Sequence, residues 1–218
     1  MKLPWTRPRK LQWERAWRER EEERYPALFG AEGEGIFPLP ISVFSEVFGQ
    51  AEVDPRWLHI GVFRFAPTPD RHTWLHVSSG LSTDWEQEGE SGFGCELALE
   101  TPWKNDQAIE VLLRLVAYDL LLAHGRYGEP RILEVGSRLH SPASFGEHGV
   151  TDGFLIATPN GFADRFTVET GPVDILACVG VTVAELAFAK ENGSDALYGN
   201  LLEAGVGSRT DPGRGSVV

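Results

Sequence analysis

Hydrophobic and polar positions alternate most cleanly between Trp74 and Glu100. The segments WLHVSSG and FGCELALE read as two strands joined by an acidic, glycine-rich connection. In the second, Phe93, Cys95, Leu97 and Leu99 face one way and Gly94, Glu96, Ala98 and Glu100 the other. The period then changes. Ile109, Leu112, Leu113, Val116, Leu120 and Leu121 recur at three- and four-residue steps, which predicts a helix over 106–124 lying across a sheet face. Asn105 or Asp106 can accept its first free amide hydrogens, and Gly125 suits the left-handed position after its last turn. Upstream, WLHIGVFRFA (57–66) predicts a strand ended by Pro67 and Pro69 and paired antiparallel with Thr73–Ser79.

The C-terminal half continues with RILEVGSRLHS (131–141), GFLIATP (153–159) and the run 166–181. In that run Val173, Ile175, Leu176, Ala177, Val179 and Val181 suggest a strand covered on both faces. Thr182 and Glu185 form a capping box that starts a helix reaching to about Lys190. Asn192-Gly193 breaks it, and Ser194 caps a second helix ending near Gly205. Residues 208–218 read as irregular. At the other end, residues 1–8 form a loose arm and 9–24 a densely charged helix. Trp13 and Trp17, four apart, would lay that helix on the body. Residues 25–40 read as loop and 41–48 as a short helix packed through Ile41, Phe44, Val47 and Phe48. These elements assemble as an α+β domain, a mixed, largely antiparallel sheet with helices packed on it.

The balance of charge narrows the partners. A net charge of −12 and a pI near 4.9 repel nucleic-acid phosphate, and they fit a solvated surface or a basic partner. No apolar stretch is long enough to span a bilayer, and MKLPWTRPRK lacks the apolar core of a secretory signal, so a cytosolic, membrane-free protein is expected. Cys95 and Cys178 lie in apolar runs and read as buried thiols.

A search for reactive constellations returns little. There is no phosphate loop, HExxH, paired CxxC or GxSxG, and Pro38 stands where a dinucleotide fingerprint beginning at Gly33 needs its third glycine. His72 and His76 could begin a zinc site, but His59, His140 and the carboxylates lack diagnostic spacing for a third ligand. Surface or core histidines fit better. Cys95 has no activating base nearby in sequence, and neither do Ser78, Ser79 and Ser82. The sequence thus calls for no catalytic residue, metal or cofactor. The acidic connection (Asp84, Trp85, Glu86, Glu88, Glu90) is either a solvated hairpin or an exposed recognition edge.

HVSSGLS followed by ESGFGCELALETP resembles the paired signatures of the Suppressor of fused family, an SxGLS strand before an SGFGxEL strand. HIGVFRFAPT (59–68) is similar to the family's HIDV…PPT segment, and Trp103 through Leu122 to its tryptophan-led long helix. SRLHSP (137–142) is similar to its HSP strand end, and 173–205 to its final strand and glutamate-containing helix. TDPGRGSV resembles the TDPxRxSV tail of bacterial members. The resemblance covers roughly 40–218, leaving 1–39 as an N-terminal arm with the charged helix.

It implies a non-enzymatic protein-binding module. Animal members are two-lobed and sequester a transcription factor by taking up an extended peptide as an added strand; this chain matches the first lobe. Bacterial single-lobe members are proposed to be immunity proteins, each neutralising a secreted toxin. The family's ligand contacts include a tyrosine in the long helix, which carries over to Tyr118. They also include an acidic residue in the following loop, whose nearest equivalent is Glu129 at a different spacing. With Asp84, Trp85 and Glu86, these are the candidate partner-binding residues. Tyr118 could equally be helix packing, and Asp119 and Arg126 solvated charges. An immunity-type protein is the first reading and a regulatory scaffold holding a peptide by strand addition the second. A hydrolase using Cys95 or the serines is the third.

Overall fold

The alternation in FGCELALE puts Cys95, Leu97 and Leu99 into one core and Ala98 into another, so a single strand serves both faces of a sheet. The computed structural model describes residues 14–30, 33–84, 91–145 and 151–218, with side chains of 141–145 excepted. Its strands are β1 (Glu34–Pro38), β2 (Gly61–Phe65), β3 (Trp74–Ser79), β4 (Cys95–Thr101), β5 (Arg138–Phe145), β6 (Thr151–Ala157), β7 (Arg165–Val168) and β8 (Gly171–Val181). The order is β1-β2-β3-β4-β8-β6-β5, with β7 also paired to β8. Among the described strands only β4 and β8 pair in parallel, the other strand pairings being antiparallel; an isolated parallel bridge joins Glu100 to Arg209. The sheet is mixed and largely antiparallel, as its sequence predicts.

One face is covered by α2 (Asp106–Ala123), whose stripe packs on Leu97, Leu99, Phe154 and Ile156. Asn105 caps α2 by accepting from the Gln107 N–H, and Gly125 takes a φ of 70° just beyond its end. On the opposite face, α3 (Val183–Asn192) and α4 (Ser194–Glu203) cover β6 and β8. The N-terminal helix, with α1 at Tyr25–Phe29, covers β2, β3 and β7 beside them. Three layers result, which is why β4 is buried along its whole length.

Several boundaries differ from expectation for identifiable reasons. The strand expected from Trp57 begins at Gly61, because Asp54 caps a 3-10 turn over Pro55–His59. Within the segment 131–141 the strand begins only at Arg138, the Leu133 N–H being spent on the Asp119 carboxylate. The run 166–181 divides into β7 and β8 around Gly171, whose φ is 131°. The capping box of Thr182 and Glu185 is present. Ser194, however, does not cap α4; its hydroxyl donates to the Gly136 carbonyl. The tail after Ser208 is irregular yet pinned. Thr210 Oγ1 accepts from Gly180 N at 2.7 Å and donates to the Cys178 carbonyl at 3.0 Å. Arg214 binds the buried Glu185 and the Gly180 carbonyl. Burial alone would raise the Glu185 carboxyl's pKa, but these bonds and those from the Thr182 and Val217 amides hold it below its usual range.

Trp17 does not anchor the N-terminal helix on the body. Trp17 is 41% exposed, and Trp13 lies outside the described residues. Glu19–Arg24 adopts π-helical turns, so residues five apart align. Arg20 and Tyr25 therefore point together into the sheet, followed by Phe29.

Candidate protein-binding site

Glu96 lies on the sheet face beneath the N-terminal helix and is fully buried. Its Oε1 accepts from Gly80 N at 2.9 Å, Ser82 N at 3.1 Å and Ser82 Oγ at 2.6 Å, and its Oε2 from Ser78 Oγ. Arg20, also buried, donates to Ser79 Oγ at 2.9 Å, Ser82 Oγ at 3.0 Å and Thr83 Oγ1 at 3.2 Å, and its Nη1 stands 3.8 Å from Glu96 Oε1. Tyr25 donates its hydroxyl to the Ser78 carbonyl. The serine-rich segment and the glutamate of the next strand are thus two halves of one polar cage. Gly80 belongs to it for a steric reason: at φ 135° a Cβ would come within 2.7 Å of Ile60.

Tyr118 sits half-buried on α2, its ring stacked on Tyr127 with centroids 5.3 Å apart and 6.3 Å from the Phe48 ring. Tyr127 is 47% exposed, and Glu129 is exposed two residues further along the loop that leads into β5. Sequence reasoning missed Tyr127; the available signal was an aromatic stranded just after the helix-ending Gly125. Asp119 is a correction. It is fully buried rather than solvated, because it lies on the helix face that carries Val116 and Leu120. Its Oδ1 accepts from Leu133 N at 2.7 Å, while Oδ2 has no hydrogen bond. Burial pushes its pKa up to about 7, the Leu133 bond opposing only in part. Asp84 is half-buried after the Gly80–Thr83 turn, on a different part of the fold from α2; Trp85 and Glu86 lie outside the described residues.

The two ends of the sheet are β1 and β5. β1 is five residues long, has an irregular register between Glu34 and Phe37 and ends in Pro38; its Glu34 is paired with Arg64 and Lys104. β5 is eight residues long and pairs only with β6 among the described residues; it too carries a proline, Pro142, and an irregular register, between His140 and Phe145. Irregular registers and prolines are devices that blunt an edge.

The groups considered for catalysis are placed otherwise. Burial pushes the Cys95 thiol's pKa well up, as does the charge of Asp119, and Cys178 shifts in the same direction. His76 is buried with Nδ1 3.1 Å from the Leu99 carbonyl, and burial lowers its pKa to about 4. His72 is exposed just before β3. Ser78, Ser79 and Ser82 are engaged in the cage.

The family model of Suppressor of fused protein (SUFU) matches residues 56–215, which include the whole Glu96 side of the cage, the long helix and the Arg214 tail. The chain belongs to the Suppressor of fused family. Solved structures of SUFU proteins share its fold. A SUFU homologue from Neisseria gonorrhoeae FA 1090 superposes with a TM-score of 0.57 at 18% identity, over 82% of this chain and 94% of that one. A chain of the Sufu–Fu complex gives 0.56 at 19% identity, over 83% and 93%. Drosophila Suppressor of Fused gives 0.53 at 20% identity, over 72% of this chain and 42% of that one. No curated protein matches the sequence.

Proposed function

We propose that this chain is a non-catalytic protein-binding module of the immunity type, which neutralises a toxin by holding it along β5. The observation that carries the reading is that the outer side of β5 pairs with no strand among the described residues, while the loop that leads along the chain into β5 bears an exposed aromatic and a carboxylate. An edge strand offers unpaired backbone donors and acceptors to an extended segment, and side chains flanking it supply selectivity. Tyr118 and Tyr127 would give an apolar anchor and Glu129 a charged contact. Sufu is solved in complex with Fu, so protein binding has a precedent on this fold. The net charge of −12 favours a basic partner, whose approach opposite charge accelerates.

The protein encoded beside this chain in its genome is the partner to test. Co-expression should protect cells from that protein, and the purified pair should form a stable complex. Tyr118→Ala with Tyr127→Ala should weaken that complex at least about tenfold, roughly 1.4 kcal/mol, measured well below the melting temperature, which the loss of Tyr118's packing on the core lowers. A neighbour that is harmless or does not bind defeats the immunity reading. A double variant that binds as the wild type does defeats the β5 site.

A second reading, a regulatory scaffold for a peptide, draws on the same edge. It predicts a short bound segment with a contact area below about 1,200 Å², whereas neutralising a folded toxin calls for more.

A further inference from the structure

We propose that a cavity of about 300 Å³, formed by residues 70–73, the end of β4 and the loop after α4, binds a small zwitterion of the amino-acid type. Glu100 holds its ammonium group and Arg71 its carboxylate. The cavity is lined by none of Tyr118, Tyr127 and the residues of β5, so it is separate from the protein-binding site proposed above.

Two buried side chains of opposite charge line this cavity, Glu100 at 5% and Arg71 at 7% exposure, and neither belongs to an ion pair among the described residues. Burial lowers the pKa of Arg71, and the charge of Glu100 opposes the shift without a contact between them. Burial likewise raises the pKa of Glu100. Buried charges of this kind are ordinarily paired.

Each side chain is positioned by the fold with bonding capacity to spare. Arg71 donates from Nε to the Thr73 carbonyl at 3.2 Å, from Nη1 to the Phe29 carbonyl at 3.1 Å and from Nη2 to the Ala66 carbonyl at 2.7 Å. These bonds fix the guanidinium plane and use three of its five N–H groups. Glu100 Oε1 accepts from Thr73 Oγ1. Its Oε2 is approached by Ser208 Oγ at 3.3 Å, but that hydroxyl lies closer, at 3.0 Å, to the Asn160 carbonyl. A serine hydroxyl has one hydrogen to give, and the shorter contact takes it. Glu100 thus has far fewer donors than Glu96, which accepts from two hydroxyls and two amides.

The charged floor is open to solvent, because Asp70, Asn160, Leu202 and Arg209 in the same lining are exposed. A cation alone would leave Arg71 unmatched, and an anion alone would leave Glu100 so; one molecule carrying both charges serves both. Asp70 and Arg209 add one further charge of each sign, so the lining does not favour a ligand with net charge. Leu202 and Val206 offer a wall for an aliphatic side chain. The volume lies at the lower end of ligand pockets, roughly 300–1,000 Å³, which suits an amino acid better than a nucleotide.

The test titrates full-length protein with L-leucine and with γ-aminobutyrate, whose charges stand further apart, by isothermal calorimetry. At least one should bind at millimolar concentration or below. The matching amine and the matching carboxylic acid, each lacking one charge, should bind at least about tenfold more weakly. Amide chemical shifts should move at 70–73, 99–101 and 205–209 and stay fixed around Tyr127. Glu100→Gln keeps the side chain's shape and an acceptor for Thr73. It should weaken the zwitterion at least about tenfold while leaving the affinity for the carboxylic acid unchanged, whereas a damaged fold would lower both. Should that variant not fold, the wild-type comparison of each zwitterion with its two halves decides, together with the shift map. Failure of both zwitterions to bind, halves that bind as tightly as the whole, or shifts centred on Tyr118 and Tyr127 overturn the proposal.

Discussion

Glu96 and Asp119 are both fully buried carboxylates, one on each face of the same sheet, and they are treated oppositely. Glu96 receives hydrogen bonds from two hydroxyls and two backbone amides and faces a buried guanidinium. Asp119 receives one backbone N–H and leaves its second oxygen without a hydrogen bond. A buried charge persists where donors and a counter-charge replace the water it has lost. Where they do not, the group takes up a proton, and Asp119 accordingly titrates at about 7. Asp119 thereby makes stability depend on pH.

The largest test breaks the richer side. Glu96→Ala strips Arg20 of its fully buried counter-ion, leaving only Glu21 Oε1 at 3.9 Å from Nη2, and deprives the hydroxyls of Ser78 and Ser82 of their acceptor. Removing one partner of a buried pair costs about 3–5 kcal/mol, to be read from urea denaturation at neutral pH. A cost below about 1 kcal/mol would mean that water already enters the cage.

The next test concerns slope rather than height. Between about pH 4 and 7 the folded chain keeps a proton on Asp119 that the unfolded chain has released. Raising the pH through this window therefore removes up to roughly 4 kcal/mol of stability. His76 runs the other way. Its folded pKa is lowered to about 4, so between that pH and about 6.5 the unfolded chain binds the extra proton and raising the pH stabilises, by up to roughly 3 kcal/mol. The two slopes largely cancel below pH 6.5. Asp119→Asn should unmask the His76 rise, and His76→Asn the Asp119 fall, in urea midpoints taken across the window. Parallel pH profiles for both variants and the wild type would show that neither group titrates as its burial requires.

The two carboxylates also differ in how far they could be read beforehand. Alternation in FGCELALE placed Glu96 on the correct face, and the SxGLS and SGFGxEL signatures marked the strands that build its cage. The family and the mixed sheet were legible for the same reason, since period and turn chemistry are local properties. The occupant was not legible. Arg20 sits in a run of alternating charges that looks solvated at every position, and only the π-helical turns, a product of packing, bring it into line with Tyr25. Asp119 was misread because one polar residue does not interrupt an apolar stripe, and the amide it holds is fourteen residues away at Leu133. Tyr127 shows the same limit. Its stacking on Tyr118 depends on how the loop folds back after Gly125, which no pairwise spacing encodes.

A finer cut separates the donors within the Glu96 cage. Ser82→Ala removes a bond to Glu96 and an acceptor for Arg20 at once, so about 1–3 kcal/mol is expected.

Thr83→Val is the smallest change and the most discriminating. It keeps the shape of the side chain and deletes only the hydroxyl, the most distant of the three acceptors on Arg20 at 3.2 Å. Nη1 retains Ser82 and its proximity to Glu96, so the guanidinium is not orphaned and the loss should be about 0.5–1.5 kcal/mol. If the acceptors act as a cooperative network around one charge, Thr83→Val and Ser82→Ala together will cost more than their sum, because the second deletion leaves Nη1 with no hydroxyl at all. Strict additivity in that double-mutant cycle would instead mean that the two hydroxyls act independently, with Ser79 and the carboxylate holding Arg20 in either case.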